Sequence, residues 1–205
     1  MAQHSIIARE GKLTIRIAIV AVLLLHYWLG YFALPAWLVV LLLAWLYRDP
    51  VRSIPSRPLA IVSPVDGTVL GVEQDTDPFL KRDAQHVQIK MSALGAYSLR
   101  SVTEGKVIQQ WHGKHGGLIE KGAMAAWIQT DEGDDLVIVF HAAYFAHLIR
   151  CEVSAGERIG QGQRCGHLLF GSTIELYLPI QARIEVKAGQ DVLAGSDVIA
   201  ELIHD

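Results

Sequence analysis

The residues best placed to do chemistry are Gly171-Ser172-Thr173, inside Leu168-Leu169-Phe170-Gly171-Ser172-Thr173-Ile174-Glu175-Leu176-Tyr177-Leu178-Pro179. A small polar pair is out of place among strand-forming residues. Glycine weakens a strand and often marks a close backbone approach. A serine hydroxyl is a poor nucleophile without a base or a strained carbonyl to attack. No Gly-x-Ser-x-Gly elbow is present, so a hydrolase triad is not indicated. The glycine gives an unhindered carbonyl and a permissive backbone. Ser172 can therefore attack the Gly171 carbonyl and turn that amide into an ester. The plainer reading of Ser172 is a small residue at a β-bulge.

Other candidate groups are scattered. Asp66 lies in Ser63-Pro64-Val65-Asp66-Gly67-Thr68-Val69, which alone reads as an Asp-Gly turn. His86, His112, His115, His141 and His147 form neither an HExxH nor a His-x-His pair, so no metal site is expected. Taken singly, each histidine reads as structural. Arg48, Arg52, Lys81 and Arg82 can meet a lipid phosphate or stand as solvated charges. Cys151 and Cys165 make no CxxC pair and read as reduced thiols of a cytoplasmic compartment. The net charge of −3 gives no reason to expect nucleic-acid binding.

The elements that must position these groups fall into two kinds. Hydrophobic residues make up 51% of the 205 residues, and the excess is local. From Ile17 to Tyr47 there is no Asp, Glu, Lys or Arg. As one helix this run would measure about 47 Å, against a hydrocarbon core of about 30 Å. Gly30 and Pro35 interrupt it, leaving Ile17–Leu29 and Pro35–Tyr47 at about 20 Å each. Basic residues flank both ends, Arg9, Lys12 and Arg16 before and Arg48, Arg52 and Arg57 after, which puts both ends on the cytoplasmic side. A re-entrant hairpin dipping into the membrane fits these facts. One kinked, tilted span and a buried core hairpin are the alternatives. A cleaved signal peptide is disfavoured, because the apolar run continues past any plausible processing point. Trp28, Trp37, Trp45, Tyr27, Tyr31 and Tyr47 suit a membrane interface. The expected organisation is a polar tail over 1–12, a membrane hairpin or kinked transmembrane segment over 13–47, and a β domain over 48–205.

Within that domain Val87, Ile89 and Met91 alternate with His86, Gln88 and Lys90, the period of a half-buried strand. Leu136–Phe140 suits a buried strand, and Ala142–Arg150 reads as a short helix or another strand. Turn signals recur at Asp66-Gly67, Glu104-Gly105, Glu132-Gly133, Ala155-Gly156 and Ala188-Gly189. The phrase from Val153 to Gly166 is echoed from Val186 to Ile199, and Asp66-Gly67-Thr68-Val69 is echoed by Glu104-Gly105-Lys106-Val107. Short strands with regular glycine turns predict a closed or sandwiched antiparallel sheet. The style resembles the barrel-sandwich folds of biotinyl and lipoyl domains. The fold class expected is mainly β, a barrel-sandwich domain preceded by a membrane-associated helical hairpin.

Tyr47-Arg48-Asp49-Pro50, Ser63-Pro64-Val65-Asp66-Gly67 and Gly171-Ser172-Thr173, taken together and in this order, resemble the phosphatidylserine decarboxylases, specifically their short bacterial proenzymes. Those proenzymes cut themselves before the serine of such a Gly-Ser bond. The resemblance implies a β chain of residues 1–171, an α chain of 172–205, and a pyruvoyl cofactor made from Ser172. That ketone takes the place of pyridoxal phosphate as electron sink and turns phosphatidylserine into phosphatidylethanolamine. A phospholipid substrate accounts for the membrane segment. The chain is expected on the cytoplasmic face of a bacterial cell membrane, peripheral or re-entrant, and as a homodimer.

The resemblance also implies that Asp66 orients and charges a histidine that acts as base in self-cleavage. That histidine belongs to a segment like Asn-Val-His-Val-Asn-Arg. Here the matching stretch is Met91-Ser92-Ala93-Leu94-Gly95-Ala96-Tyr97-Ser98-Leu99-Arg100, with Tyr97 in the histidine's place. Tyrosine, with a pKa of about 10, is a weak base near neutrality but can donate a proton. Three readings follow: His86, His112, His115, His141 or His147 serves instead; Tyr97 takes over; or the chain never cuts. Arg48 and Arg100 are the candidate substrate-binding residues. Ser98, Leu99 and Thr173 also depart from the short-branch pattern. The competing class is an uncut, non-catalytic, membrane-tethered module that binds a lipid or a partner.

Overall fold

The computed structural model describes residues 7–113, 122–142, 149–151, 153–168 and 171–203. Two helices come first: α1, Arg9–Leu29, and α2, Trp37–Leu46, joined by a 3-10 stretch over Gly30–Ala36. Gly30 takes a φ of 55°, which glycine adopts without steric cost. Pro35 lies in the 3-10 stretch and spares both helices its missing N–H. The chain reverses there. Ala8 donates its N–H to the Tyr47 carbonyl at 2.8 Å, and Ile7 pairs with Arg48 antiparallel. Gly11 faces Tyr47 so closely that a Cβ would collide with the ring. The legs measure about 31 Å for α1 and about 29 Å for the 3-10 stretch plus α2. They form a folded-back pair rather than one rod. Its flanks and tip are uncovered, with Leu24 60%, Leu41 65%, Trp28 82% and Phe32 90% exposed. By length and composition Arg9–Leu46 is apolar enough to cross a membrane.

The strands follow: β1 Ala60–Val62, β2 Gly67–Asp77, β3 Arg82–Met91, β4 Ser98–Arg100, β5 Gly105–His112, β6 Met124–Gln129, β7 Asp135–Ala142, β8 Ile149–Cys151, β9 Arg158–Ile159, β10 Arg164–Leu168, β11 Gly171–Pro179, β12 Arg183–Ile184, β13 Asp191–Val192 and β14 Val198–Glu201. All described pairs are antiparallel. Eight strands make a sheet in the order β13-β2-β3-β11-β7-β6-β5-β9, curled into a half-barrel. Two three-stranded sheets, β4-β10-β8 and β1-β14-β12, complete it. The chain is mainly β with an N-terminal helical pair, as the sequence predicts.

The echoed phrases become equivalent pieces of backbone. Gly156 and Gly189 turn with φ of 94° and 84°, and Gly162 and Gly195 with 65° and 69°. Val107 exchanges hydrogen bonds with Gly156 and Glu157, just as Val69 does with Gly189 and Gln190. The shorter echoes are the partner strands, Gly105 facing Ile159 and Gly67 facing Val192. The large sheet therefore reads as two matching halves that meet between β11 and β7.

Ile61, Val69, Ile89, Leu99, Val107, Ile138, Ile174, Leu176 and Ile199 share one interior. Full burial of such a side chain stabilises by about 1.5–3 kcal/mol. The outer face of β3 is less open than its alternation suggests. His86 is buried there, stacked on Tyr177 at 4.5 Å, because Phe79, Trp111 and Trp127 cover that side. Residues 143–148, with the helix-or-strand question for Ala142–Arg150, lie outside the described residues, as do His115 and His147.

Gly67→Ala tests the close β2–β3 approach. Its Cβ would collide with the Lys90 carbonyl oxygen, which is backbone and cannot swing away. The expected loss is about 2 kcal/mol, read as a fall of about 5 °C in the thermal midpoint.

Candidate functional site

The helical pair meets the β domain through Tyr47-Arg48-Asp49-Pro50. Asp49 sits between two arginines, taking Nη2 of Arg100 (β4) and Nε of Arg164 (β10), each at 3.1 Å. Arg164 also reaches back to α1, its Nη2 lying 2.8 and 2.6 Å from the Glu10 carboxylate oxygens. Arg100 further donates to the carbonyls of Pro50 and Gly162. Gly195 is small where Arg100 passes; a Cβ there would lie 2.6 Å from Cδ. Arg48 turns the other way. Its guanidinium lies 5.5 Å from the Trp45 ring centre and donates to the Leu94 carbonyl at 2.5 Å.

These contacts lower an aromatic floor onto the domain. Tyr47 stacks on His167 at 5.2 Å, and Trp45 meets Tyr97 edge-on at 6.3 Å. Tyr97 and His167 in turn meet at 6.3 Å. They are neighbours because β4 pairs with β10, setting Ser98 opposite His167 and bonding Leu168 N–H to the Tyr97 carbonyl at 2.9 Å. The Tyr97 hydroxyl donates to the Ala93 carbonyl at 2.7 Å. Burial first raises its pKa, with the Arg48 charge pulling the other way. His167 is 3% exposed, and neither ring nitrogen has a hydrogen-bond partner among the described residues. Burial first, helped by the Arg164 charge and opposed by Glu10 and Asp49, lowers its pKa to about 4. The ring is neutral at pH 7.

Asp66, 6% exposed, precedes β2. Arg52 Nη2 touches both its oxygens at 2.9 and 2.6 Å, and the N–H groups of Ala96 and Ala194 donate at 2.9 Å each. Among the described residues its partners are thus an arginine and two amides, not a histidine. The Ala96 bond fixes the backbone immediately before Tyr97. Gly95 permits this approach, since a Cβ there would lie 2.6 Å from Asp66 Cβ.

Gly171 and Ser172 open β11, the strand between β3 and β7. Against β3 the register is regular, with Thr68, Lys90 and Thr173 in one row. Against β7 it slips: Gly171 faces Ala142 while Ile174 faces Phe140, leaving an extra residue between. Such a bulge locally interrupts the ladder. Asp66 and Ser172 reach the same end of the sheet from strands two apart, about 10 Å between backbones.

On the outer face of that end Glu175 lies between His141, 3.4 Å away, and His86, 3.7 Å away, and accepts the Tyr177 hydroxyl at 3.1 Å. His141, then His86, hold the Glu175 carboxyl far below the usual carboxylate range. For His86, burial opposes the charge, but Glu175 and then Glu73 outweigh it and raise the pKa. His112 is exposed on β5.

Of the residues singled out from sequence, the structure gathers Arg48, Arg100 and Tyr97 at the helix–domain junction. Asp66 is joined to them through Ala96. His167, Glu10, Asp49 and Arg164 were not singled out for chemistry. The available signal for His167 was a histidine in the apolar approach to Gly171-Ser172; its meaning depends on β4–β10 pairing.

The phosphatidylserine decarboxylase family model matches residues 40–200. The chain is 37% identical over 207 residues to the phosphatidylserine decarboxylase proenzyme of Nitrosomonas eutropha, covering 97% of this chain and 96% of the relative. It is 38% identical over 208 residues to that of Burkholderia vietnamiensis, covering 97% of each. Among solved structures, glucose permease IIA from Mycoplasma capricolum is similar at a TM-score of 0.48 and 18% identity, covering 69% of this chain and 94% of that one. The chain belongs to the phosphatidylserine decarboxylase family.

The low pKa of His167 makes stability depend on pH. Between about 4 and the ordinary value near 6.5 the unfolded chain binds the proton and the folded one does not. Folding stability should therefore fall as pH drops through that window, by about 3 kcal/mol in all. Denaturant titrations of the Ser172→Ala chain, to keep it uncut, should show this slope. His167→Phe in that background should flatten it.

Proposed function

We propose that this chain is a membrane-anchored proenzyme that cuts itself between Gly171 and Ser172 and then decarboxylates phosphatidylserine to phosphatidylethanolamine. The observation that carries the reading is the Gly-Ser bond at the bulged head of a central strand, with Asp66 at the same sheet end. Family membership supports it. A bulge leaves one residue outside the β7 ladder, which suits a peptide that must distort during an acyl shift. A pyruvoyl group formed from Ser172 would supply the electron sink for loss of carbon dioxide.

The chain's own residues have separable parts. Asp66 holds Arg52 and the backbone before Tyr97, so it sets the wall of the site. Tyr97 stays protonated and can serve as a proton donor. Arg48, without a carboxylate partner among its described contacts, is suited to a lipid phosphate at the foot of the helices. Arg100 is taken up by Asp49 and contributes to substrate binding through that linker. The uncovered helical pair rests in the bilayer and delivers the head group to the aromatic floor. A cytoplasmic-face position follows from the basic residues at both helix ends, and a homodimer completes the expected assembly.

Intact-mass measurement of protein purified from its native host tests the cut. The expected products are residues 1–171 and a 34-residue fragment beginning with pyruvoyl, and Ser172→Ala should stay whole. A single uncut chain with an ordinary serine sinks the catalytic reading and leaves the tethered binding module. The anchor has its own test. Leu24→Asp with Leu41→Asp places two charges on uncovered flanks, each costing about 3 kcal/mol in a bilayer. That variant should stay in the soluble fraction when the parent chain floats with phospholipid vesicles.

A further inference from the structure

His167 does nothing for the fold that an apolar ring would not do better. It is 97% buried by its 3% exposure, and its two ring nitrogens lack hydrogen-bond partners among the described residues. Buried polar groups left unpaired are uncommon and destabilising. A phenylalanine would stack on Tyr47 without that cost. Something other than packing accounts for an imidazole at this position.

Its surroundings indicate what. The ring touches Tyr97, the position that the family resemblance gives to a histidine. Ser98 beside Tyr97 pairs with His167 across β4 and β10. An imidazole absent from the residue just before β4 is thus present on β10, the strand that pairs with β4, against the Tyr97 ring. β10 is also the strand that leads into Gly171-Ser172, four residues further on. The other described histidines are less suited. His26 lies in the last turn of α1, away from the β domain's strands. His86 and His141 are engaged by Glu175 on the outer face, and His112 is exposed on β5.

We propose that His167 is the proton acceptor for self-cleavage, acting from β10 in the place of the histidine missing at position 97. The proposal rests on the self-cleaving reading above. In the step, the Ser172 Oγ–H proton passes to an imidazole nitrogen while an Oγ electron pair bonds to the Gly171 carbonyl carbon. The bond from that carbon to the Ser172 nitrogen then breaks. Its electron pair takes the proton back from the imidazolium. The amide has become an ester, Ser172 has a free amine, and His167 is neutral again. Loss of the Ser172 α-proton then expels the Gly171 carboxylate, which parts the chain, and water turns the dehydroalanine left behind into the pyruvoyl group with release of ammonia. Nothing is oxidised or reduced, and water is the one further reactant. The lowered pKa of His167 keeps a lone pair available at neutral pH, although Glu10 and Asp49 on one side and Arg164 on the other all bear on it.

The test compares cutting rates in freshly made wild-type protein, His167→Phe, and the double variant Tyr97→His with His167→Phe. Denaturing gels and intact mass report the cut, and circular dichroism reports folding. His167→Phe should fold and cut at least about 100-fold more slowly. The double variant, with its imidazole returned to position 97, should recover most of that rate, which a purely structural role for His167 does not predict. A folded His167→Phe chain that cuts at the wild-type rate overturns the proposal and leaves self-cleavage intact. A wild-type chain that never cuts overturns the reading beneath it, and this proposal with it. Should His167→Phe not fold, His167→Gln takes its place with the same expectations, and a folded double variant that does not cut counts against the proposal.

Discussion

Asp49 holds two arginines from different strands of the β4-β10-β8 sheet, and the junction hangs on that carboxylate. Arg100, Arg164 and Asp49 are mostly buried, with side-chain exposures of 11%, 17% and 14%. Charges in such a place stay only when paired, and removing one partner of a buried pair costs about 3–5 kcal/mol. The pairing fixes the linker that follows α2. It thereby sets Tyr47 over His167 and Trp45 against Tyr97. Glu10 closes the arrangement from α1 through Arg164. A helical pair that would otherwise pivot on a short linker is clamped above the candidate site. A lipid head group arriving along the helices would meet the aromatic floor and Arg48 directly.

The sheet gives the site its second constraint. Its two matching halves meet at β11 and β7, and a one-residue bulge falls on that seam between the Gly171–Ala142 and Ile174–Phe140 pairs. A strand in the middle of a sheet is held on both sides, so its peptide groups are normally locked into two ladders. The bulge falls at Ser172 and Thr173 on the β7 side, while Gly171 keeps its place opposite Ala142 and the β3 register takes hold from Thr173 onward. Such a place would suit the bond that the proposed cut has to deform. Asp66 and the 92–97 turn reach the same edge because β2 begins and β3 ends there.

Much of this was legible in the chain. The apolar run and its Gly30 and Pro35 breaks signalled two legs, because backbone chemistry dictates where a helix stops. The echoed glycine phrases gave the recurring turns, since a positive φ is a local requirement that glycine meets. Leu136–Phe140 announced a buried strand by composition alone. What could not be read were consequences of pairing between distant strands. The burial of His86 depends on Phe79, Trp111 and Trp127 converging over β3. The service of Asp66 to Arg52, Ala96 and Ala194 depends on three segments far apart in sequence. Tyr97 looked like the loss of a function, and only the β4–β10 register brings His167 to its side.

The order of strands has a bearing on what a severed chain would be. Residues 172–203 include nearly all of β11 together with β12, β13 and β14, and these are spread over the seam of the large sheet, its outer edge and one small sheet. β11, β13 and β14 each border strands of the longer piece, and β12 pairs with β14. The shorter piece is woven in rather than appended, so breaking the backbone would not release it. Two polypeptides would remain interlocked as one body, and the fresh terminus would lie at the head of β11, the strand between β3 and β7.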